Sequence, residues 1–222
     1  PMKIYITKSN VLSTLGLGLA SLKETSSYAP STTLFKDFAF HSLDNEVQCF
    51  ALQDFDPVTI LGRKGLRTKD RATKMLLSTL ETEFKTLFEE SETHSYPGLC
   101  IGSAFGSIQS IGDFLSDSII NGVNKVNPQA FANTVINAPT GNANIRYCAN
   151  RLTTTISTGF NSGLDALIYA YHYIQQGYIE NIIVGGLEEI SYYSLLGLQR
   201  TGTLSTIGNV LPFSQKKEGT CM

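Results

Sequence analysis

The sequence predicts an α/β fold in which helices are layered on both sides of a sheet. Three observations lead there. Short apolar runs of strand length, at residues 99–103, 152–157 and 180–185, alternate with longer helical segments. Residues 70–90 place Ala72, Met75, Leu76, Leu80, Phe84, Leu87 and Phe88 at helical spacing with Lys and Glu between them. Residues 164–176 are apolar on nearly every side, which predicts a helix buried between layers.

The elements follow in order. Pro1 before Met2 reads as a protease scar outside the fold. Residues 3–6 alternate apolar and polar, which predicts a strand. Residues 8–60 are loop-rich with short apolar runs. The cluster at 91–98 ends the long amphipathic helix, and the strand 99–103 follows. Gly102 and Gly106 bracket a tight turn into a helix from about 107 to 120. Two short helical pieces are expected at 127–137 and 141–149. Residues 152–157 are β-branched and polar, as strands are. Gly177 is placed to end the buried helix, and Gly186 turns the chain after the last strand.

Composition bounds the function. A chain of 222 residues, 42% hydrophobic, holds one sizeable core or two small ones. Charged residues make up 16%, below the roughly 25% of an average domain. A formal charge of −2 leaves no basic footprint for nucleic acid. No apolar run of about 18 residues predicts a membrane span, and no signal peptide opens the chain. Cys49, Cys100, Cys148 and Cys221 lie far apart, and His41, His94 and His172 do not cluster with them. Structural zinc needs ligands paired at short spacing, so no metal and no cofactor are expected. Reduced thiols, three of them in the core, fit a cytoplasmic protein. Cys148 in particular reads as a buried small hydrophobe.

Several sites invite functional readings. Gly159-Phe160-Asn161-Ser162-Gly163 is not a hydrolase elbow, which needs Ser at the centre of GxSxG. Ser162 instead reads as a residue capping free N–H groups at a helix start. Gly16-x-Gly18, and Gly102 with Gly106, complete neither GxGxxG nor a P-loop. His172, among Tyr169, Tyr171 and Tyr173, reads as a core or interface histidine bonded to a carbonyl.

Four stretches, in order, resemble the β-ketoacyl synthases of the thiolase fold. They are Arg67-Thr68-Lys69-Asp70-Arg71-Ala72-Thr73; Pro97-Gly98-Leu99-Cys100-Ile101-Gly102-Ser103-Ala104-Phe105-Gly106; Thr155-Ile156-Ser157-Thr158-Gly159-Phe160-Asn161-Ser162-Gly163; and Val184-Gly185-Gly186-Leu187-Glu188. Asn127-Pro128 with Gly141, and Pro212-Phe213 with Glu218-Gly219, fit the same pattern. The resemblance covers roughly residues 60–219, and it implies a thiolase-like α-β-α layering. Residues 2–222 would form one domain of the N-terminal type, with the C-terminal half absent.

In that family the third stretch carries a nucleophilic cysteine at a strand-to-helix turn. A helix N-terminus favours the thiolate there, and the thiolate takes the acyl chain from a carrier protein. Here Phe160 occupies the cysteine position, offers no nucleophilic atom, and would fill the space of the acyl thioester. The family's two catalytic histidines and lysine belong to the second half. The resemblance therefore implies a non-catalytic chain-length factor, as in type II polyketide and aryl polyene pathways. Its partner would be a catalytic ketosynthase subunit in a heterodimer, with an acyl carrier protein as a further partner. Thr153, Thr154, Thr155, Ile156, Ser157 and Thr158 would lie at that interface. Ile108, Ile111, Phe114 and Leu115, with Phe160, would line the acyl tunnel; ordinary core packing is the competing reading for the four on the helix. Gly185, Gly186 and Glu188 would be structural, with Glu188 bonding backbone near the active-site turn. A malonyl-decarboxylating priming subunit, a split ketosynthase and a stabilising scaffold are the alternatives.

Overall fold

The computed structural model describes residues 3–23, 33–52, 54–89, 96–149, 151–205, 215 and 219–220. The residues Pro1, Met2, His94, Pro212, Phe213, Glu218 and Cys221 named above lie outside them.

The central element is β5 (Gly98–Gly102), buried along its whole length. It pairs in parallel with β6 (Thr153–Ile156) on one side and β7 (Ile182–Gly186) on the other, giving the order β6-β5-β7. The two-residue period of a strand assigns its faces. Leu99 and Ile101 join the main apolar cluster with Leu76, Leu77 and Leu80 of α3 (Arg71–Glu83) and Ala143 of α6 (Ala138–Tyr147). Gly98, Cys100 and Gly102 point the other way, toward α7 (Ser162–Gln175); the Cys100 thiol lies 3.6 Å from the Ala166 carbonyl. Helices therefore cover both faces, which is the α/β layering that the alternating elements predict.

Gly102 is where the layers come closest. A Cβ on it would stand 2.2 Å from the Ser162 carbonyl oxygen, so only glycine lets α7 begin directly against β5. α7 meets the sheet through the small residues Ser162, Ala166 and Ala170, spaced four apart. The expectation that this helix is buried on every side fails. Leu164, Leu167, Ile168 and Tyr171 are exposed, because the described residues cover only the face turned to the sheet.

The long amphipathic helix is two. Asp70 caps α3 by accepting from the Thr73 N–H at 2.8 Å. The helix stops at Phe84, and α4 (Lys85–Glu89) continues with Phe88 in the core. The 3-10 helix Pro128–Asn133 and α6 supply the two short helical pieces expected at 127–149. Gly177, with φ 75°, ends α7 as expected.

Residues 3–6 form no strand. Tyr5 and Ile6 are exposed, and contact with α3 is made further on, where Lys8 donates to the Glu83 carbonyl at 3.3 Å and Asn10 to the Thr79 carbonyl at 3.0 Å. The stretch 8–60 holds more regular structure than its sequence suggests. It contains the short pair β1 (Leu12–Ser13) and β2 (Gly16–Leu17), α1 (Ala20–Lys23), the hairpin β3 (Thr33–Asp37) and β4 (Ser42–Cys49), and α2 (Pro57–Leu61). The hairpin's Leu43, Val47 and Cys49 form a second apolar cluster with Leu195 of α8 (Tyr192–Arg200), a helix absent from the sequence reading.

Three side chains differ from the sequence expectation. Cys148 is exposed, because it is the C-cap of α6 in a left-handed conformation (φ 52°) rather than part of the helix. His172 is exposed on α7 with its ring against Tyr171, outside any core. Ser162 does not cap α7. Its hydroxyl accepts from the Thr158 N–H at 3.0 Å and donates to the Gly159 carbonyl, which ties the strand-to-helix turn to itself.

Candidate functional site

Residues 157–161 connect β6 to α7, and this turn is built tightly. Gly159 has φ 86°, a conformation that strains any side chain. The Thr158 hydroxyl donates to Asp165 in the first turn of α7. The turn presents residue 160 at the start of α7, where free N–H groups and the helix dipole would stabilise an anion. The residue presented is a phenyl ring. Phe160 therefore lies at the strand-to-helix turn where a nucleophile would be activated, and it supplies none. The Phe160 ring is 80% exposed and meets the edge of Phe105, with ring centroids 5.9 Å apart.

Phe105 belongs to a second turn, between β5 and α5 (Ile108–Asn121), so the two turns meet through these rings. Glu188 organises this second turn. Its carboxylate accepts from the Ser103 hydroxyl at 3.1 Å, from the Ala104 N–H, and from the Phe105 N–H at 3.4 Å. Burial raises its pKa, and the three donors offset part of that rise. Glu188 thus bonds backbone at the β5–α5 turn, which meets the turn of Phe160 through the Phe105 ring. At the end of β7, Gly186 approaches Gly163 backbone to backbone, while a Cβ on Gly185 would meet nothing within 4 Å. Between the sheet and α7, the closest backbone approach falls on Gly102, which the sequence analysis treated as a turn residue.

The predicted tunnel residues share α5 but not one environment. Ile108, Ile111 and Phe114 are half-buried, and Leu115 is exposed. Phe114 packs edge-on against Phe131 of the 3-10 helix at 5.9 Å. Gly112 is the one residue of α5 that is buried. Below Leu115 the helix exposes Ile119 (81%) and Ile120, and Val123 follows. Of the predicted interface residues, Thr153, Thr154, Thr155 and Ile156 form β6, which pairs only with β5 among the described residues and leaves its outer edge open. Ser157 and Thr158 continue from it, exposed. The Thr155 hydroxyl lies 2.8 Å from that of Thr140, which ties β6 to α6.

Two groups escaped the sequence reading. Glu189 is buried (5% exposed), and its Oε1 has no hydrogen-bond partner. Burial, with Asp70 nearby, pushes its carboxyl up to about 8. His41, Ser116 and Tyr193 converge from three elements 75 and 152 positions apart, a separation that leaves no local signal. No group of three or more His, Cys, Asp or Glu side chains among the described residues is arranged to hold a metal. No helix of the described residues is long and apolar enough to cross a membrane.

The comparisons with known proteins bear on this geometry. A 3-oxoacyl-[acyl-carrier-protein] synthase homolog of Saccharomyces cerevisiae is 31% identical over 124 residues, 55% of this chain and 28% of that protein. The solved structure of the ishigamide ketosynthase/chain length factor superposes with TM-score 0.71 at 26% identity, over 89% of this chain and 55% of that one. The ketosynthase ApeO in complex with its chain length factor ApeC, from Xenorhabdus doucetiae, gives TM-score 0.72 at 17% identity, over 95% of this chain and 53% of that one. This chain thus spans about half the length of the matched structures and less of the curated relative. Residues 35–222 match the model of the β-ketoacyl synthase N-terminal domain, and the chain belongs to that family.

Proposed function

We propose that this chain is a non-catalytic chain-length factor that pairs with a catalytic ketosynthase subunit and shapes the tunnel for the growing acyl chain. The observation that carries the reading is Phe160, a phenyl ring at the strand-to-helix turn where the family's thiolate would be activated. The partner supplies cysteine, histidines and lysine, and takes acyl units from a carrier protein. The pathway is of the polyketide or aryl polyene kind and works in the cytoplasm. The likeness to a ketosynthase/chain length factor at 26% identity supports this reading. So do the exposed apolar side chains of α7 and of the end of α5, which need a cover. The open edge of β6 is where Thr153 to Thr158 would meet the partner, and Ile108, Ile111, Phe114 and Leu115 would line the tunnel, with Phe160 at its mouth.

The test is co-expression with a candidate ketosynthase, followed by size-exclusion chromatography with mass determination and a malonyl-carrier condensation assay. The expected result is a one-to-one complex whose activity is abolished by mutating the partner's cysteine. In that complex, Phe114→Ala or Leu115→Ala lengthens the products. A chain with no affinity for any ketosynthase, or one that condenses malonyl units alone, sinks the proposal. A stable complex whose product lengths ignore both substitutions leaves a scaffold.

A further inference from the structure

No apolar side chain of α5 is fully buried: Ile108, Ile111 and Phe114 are half-buried, and Phe114 meets Phe131 edge-on. The one residue it buries is Gly112. Ile108, Ile111, Leu115 and Ile119 recur at helical spacing on one face, and none of them is buried. Gln109, Gly112, Asp113 and Ser116 recur on another. That second face carries directional contacts. Tyr193 of α8 stands directly over Gly112, where a Cβ would come 1.8 Å from the ring. Gln109 accepts from the Tyr192 N–H at 2.7 Å and donates to Asp113 at 2.7 Å.

One turn beyond Gly112, Ser116 reaches His41, which lies between β3 and β4. The His41 ring stacks on Tyr192 with centroids 4.7 Å apart and planes 17° apart, and it meets Tyr193 edge-on at 5.6 Å. Its Nε2 is 2.8 Å from the Ser116 hydroxyl and 3.0 Å from the Tyr193 hydroxyl. One nitrogen thus joins the hairpin, α5 and α8. Hydrogen bonds fix orientation more sharply than apolar contact, which tolerates sliding. Neither the cysteine position nor the predicted interface involves this cluster.

We infer that His41 is a positioning residue: with Ser116 and Tyr193 it forms a latch that sets the rotation of α5, and so sets where Ile108, Ile111 and Leu115 meet the acyl chain. This inference rests on the chain-length reading. His41→Phe keeps a flat ring to stack on Tyr192 but removes Nε2. Ser116→Ala with Tyr193→Phe removes both hydroxyls and leaves the stack intact.

The experiment measures product lengths by mass spectrometry from the purified complex with the ketosynthase, alongside complex yield and melting temperature. His41→Phe is expected to move the main product by at least one extension unit at unchanged complex yield. The hydroxyl pair is expected to produce the same shift, and adding it to His41→Phe is expected to change nothing more. A purely structural role would lower the melting temperature and leave the lengths alone. Unchanged lengths in His41→Phe, where Leu115→Ala does shift them, overturn the latch and leave the chain-length reading standing. Unchanged lengths in all three variants overturn both. Should His41→Phe fail to assemble, unchanged lengths in the hydroxyl pair suffice to overturn the latch.

Discussion

Replacing Glu189 by glutamine should make the protein more stable at high pH than the wild type. The carboxyl lies just before α8 (5% exposed), close to the start of α3, and accepts from the Ala72 N–H. Burial, reinforced by the negative charge of Asp70, raises it from 4.5 to about 8. A raised carboxyl favours the protonated form in the folded state. Its contribution is therefore fully present below pH 4.5 and is lost as the pH climbs toward 8. At about 1.36 kcal/mol per pH unit, the loss reaches roughly 3 kcal/mol by pH 7 and about 4–5 kcal/mol above pH 8. Glutamine keeps the acceptor for Ala72 and has no proton to lose. Urea unfolding of both proteins at pH 5, 7 and 9 and at one protein concentration gives the comparison. The stability difference between them should grow by about 3 kcal/mol or more, in favour of the variant, from pH 5 to pH 9. Parallel pH profiles would refute the assignment of a neutral buried carboxyl at this position.

Gly102→Ala should destabilise strongly, because its Cβ meets the backbone of Ser162 and Gly163 at 2.2 to 2.6 Å, where no side chain can give way. A loss of about 3 kcal/mol or more in urea unfolding is expected, and a loss below about 0.5 kcal/mol would contradict the close approach. Tyr147→Phe removes hydroxyl contacts of 2.7 Å to Glu81 and 3.2 Å to the Leu77 carbonyl, and should cost about 1–2 kcal/mol in the same assay. Iodoacetamide labelling read peptide by peptide should modify exposed Cys148 before Cys49 and Cys100. Cys49 and Cys100 should stay protected in the native protein, and burial also pushes the Cys100 thiol up to about 11. Native labelling of Cys100 as fast as Cys148 would contradict the buried β5.

What the sequence revealed and what it hid divide along physical lines. The strands at 98–102, 153–156 and 182–186 and the helices at 108–121, 138–147 and 162–175 were legible because each carries a local signature. These signatures are apolar runs of the right length, helical spacing, and glycines at the turns. Phe160 was legible because Ser162-Gly163 and Thr158 frame it in a recognisable turn. α8 was missed although Ser191 and Ser194 form a capping box before Leu195 and Leu198, a local signal that was available. The break at Phe84 and the left-handed Cys148 gave no such signal, since helical spacing continues through the first and nothing marks the second.

By itself, the sequence determined the layered α/β fold through periodicity and turn chemistry, which are properties of neighbouring residues, and its resemblance to the β-ketoacyl synthases pointed to the family and to the position at which Phe160 stands. Only the tertiary structure decided which face of α7 is left bare, that Glu188 serves the β5–α5 turn, and that Glu189 is buried beside Asp70. It alone brought His41 to Ser116 and Tyr193. Each of these is a meeting of residues far apart in the chain, and the burial, hydrogen bonds and charge that define them exist only once the layers have closed.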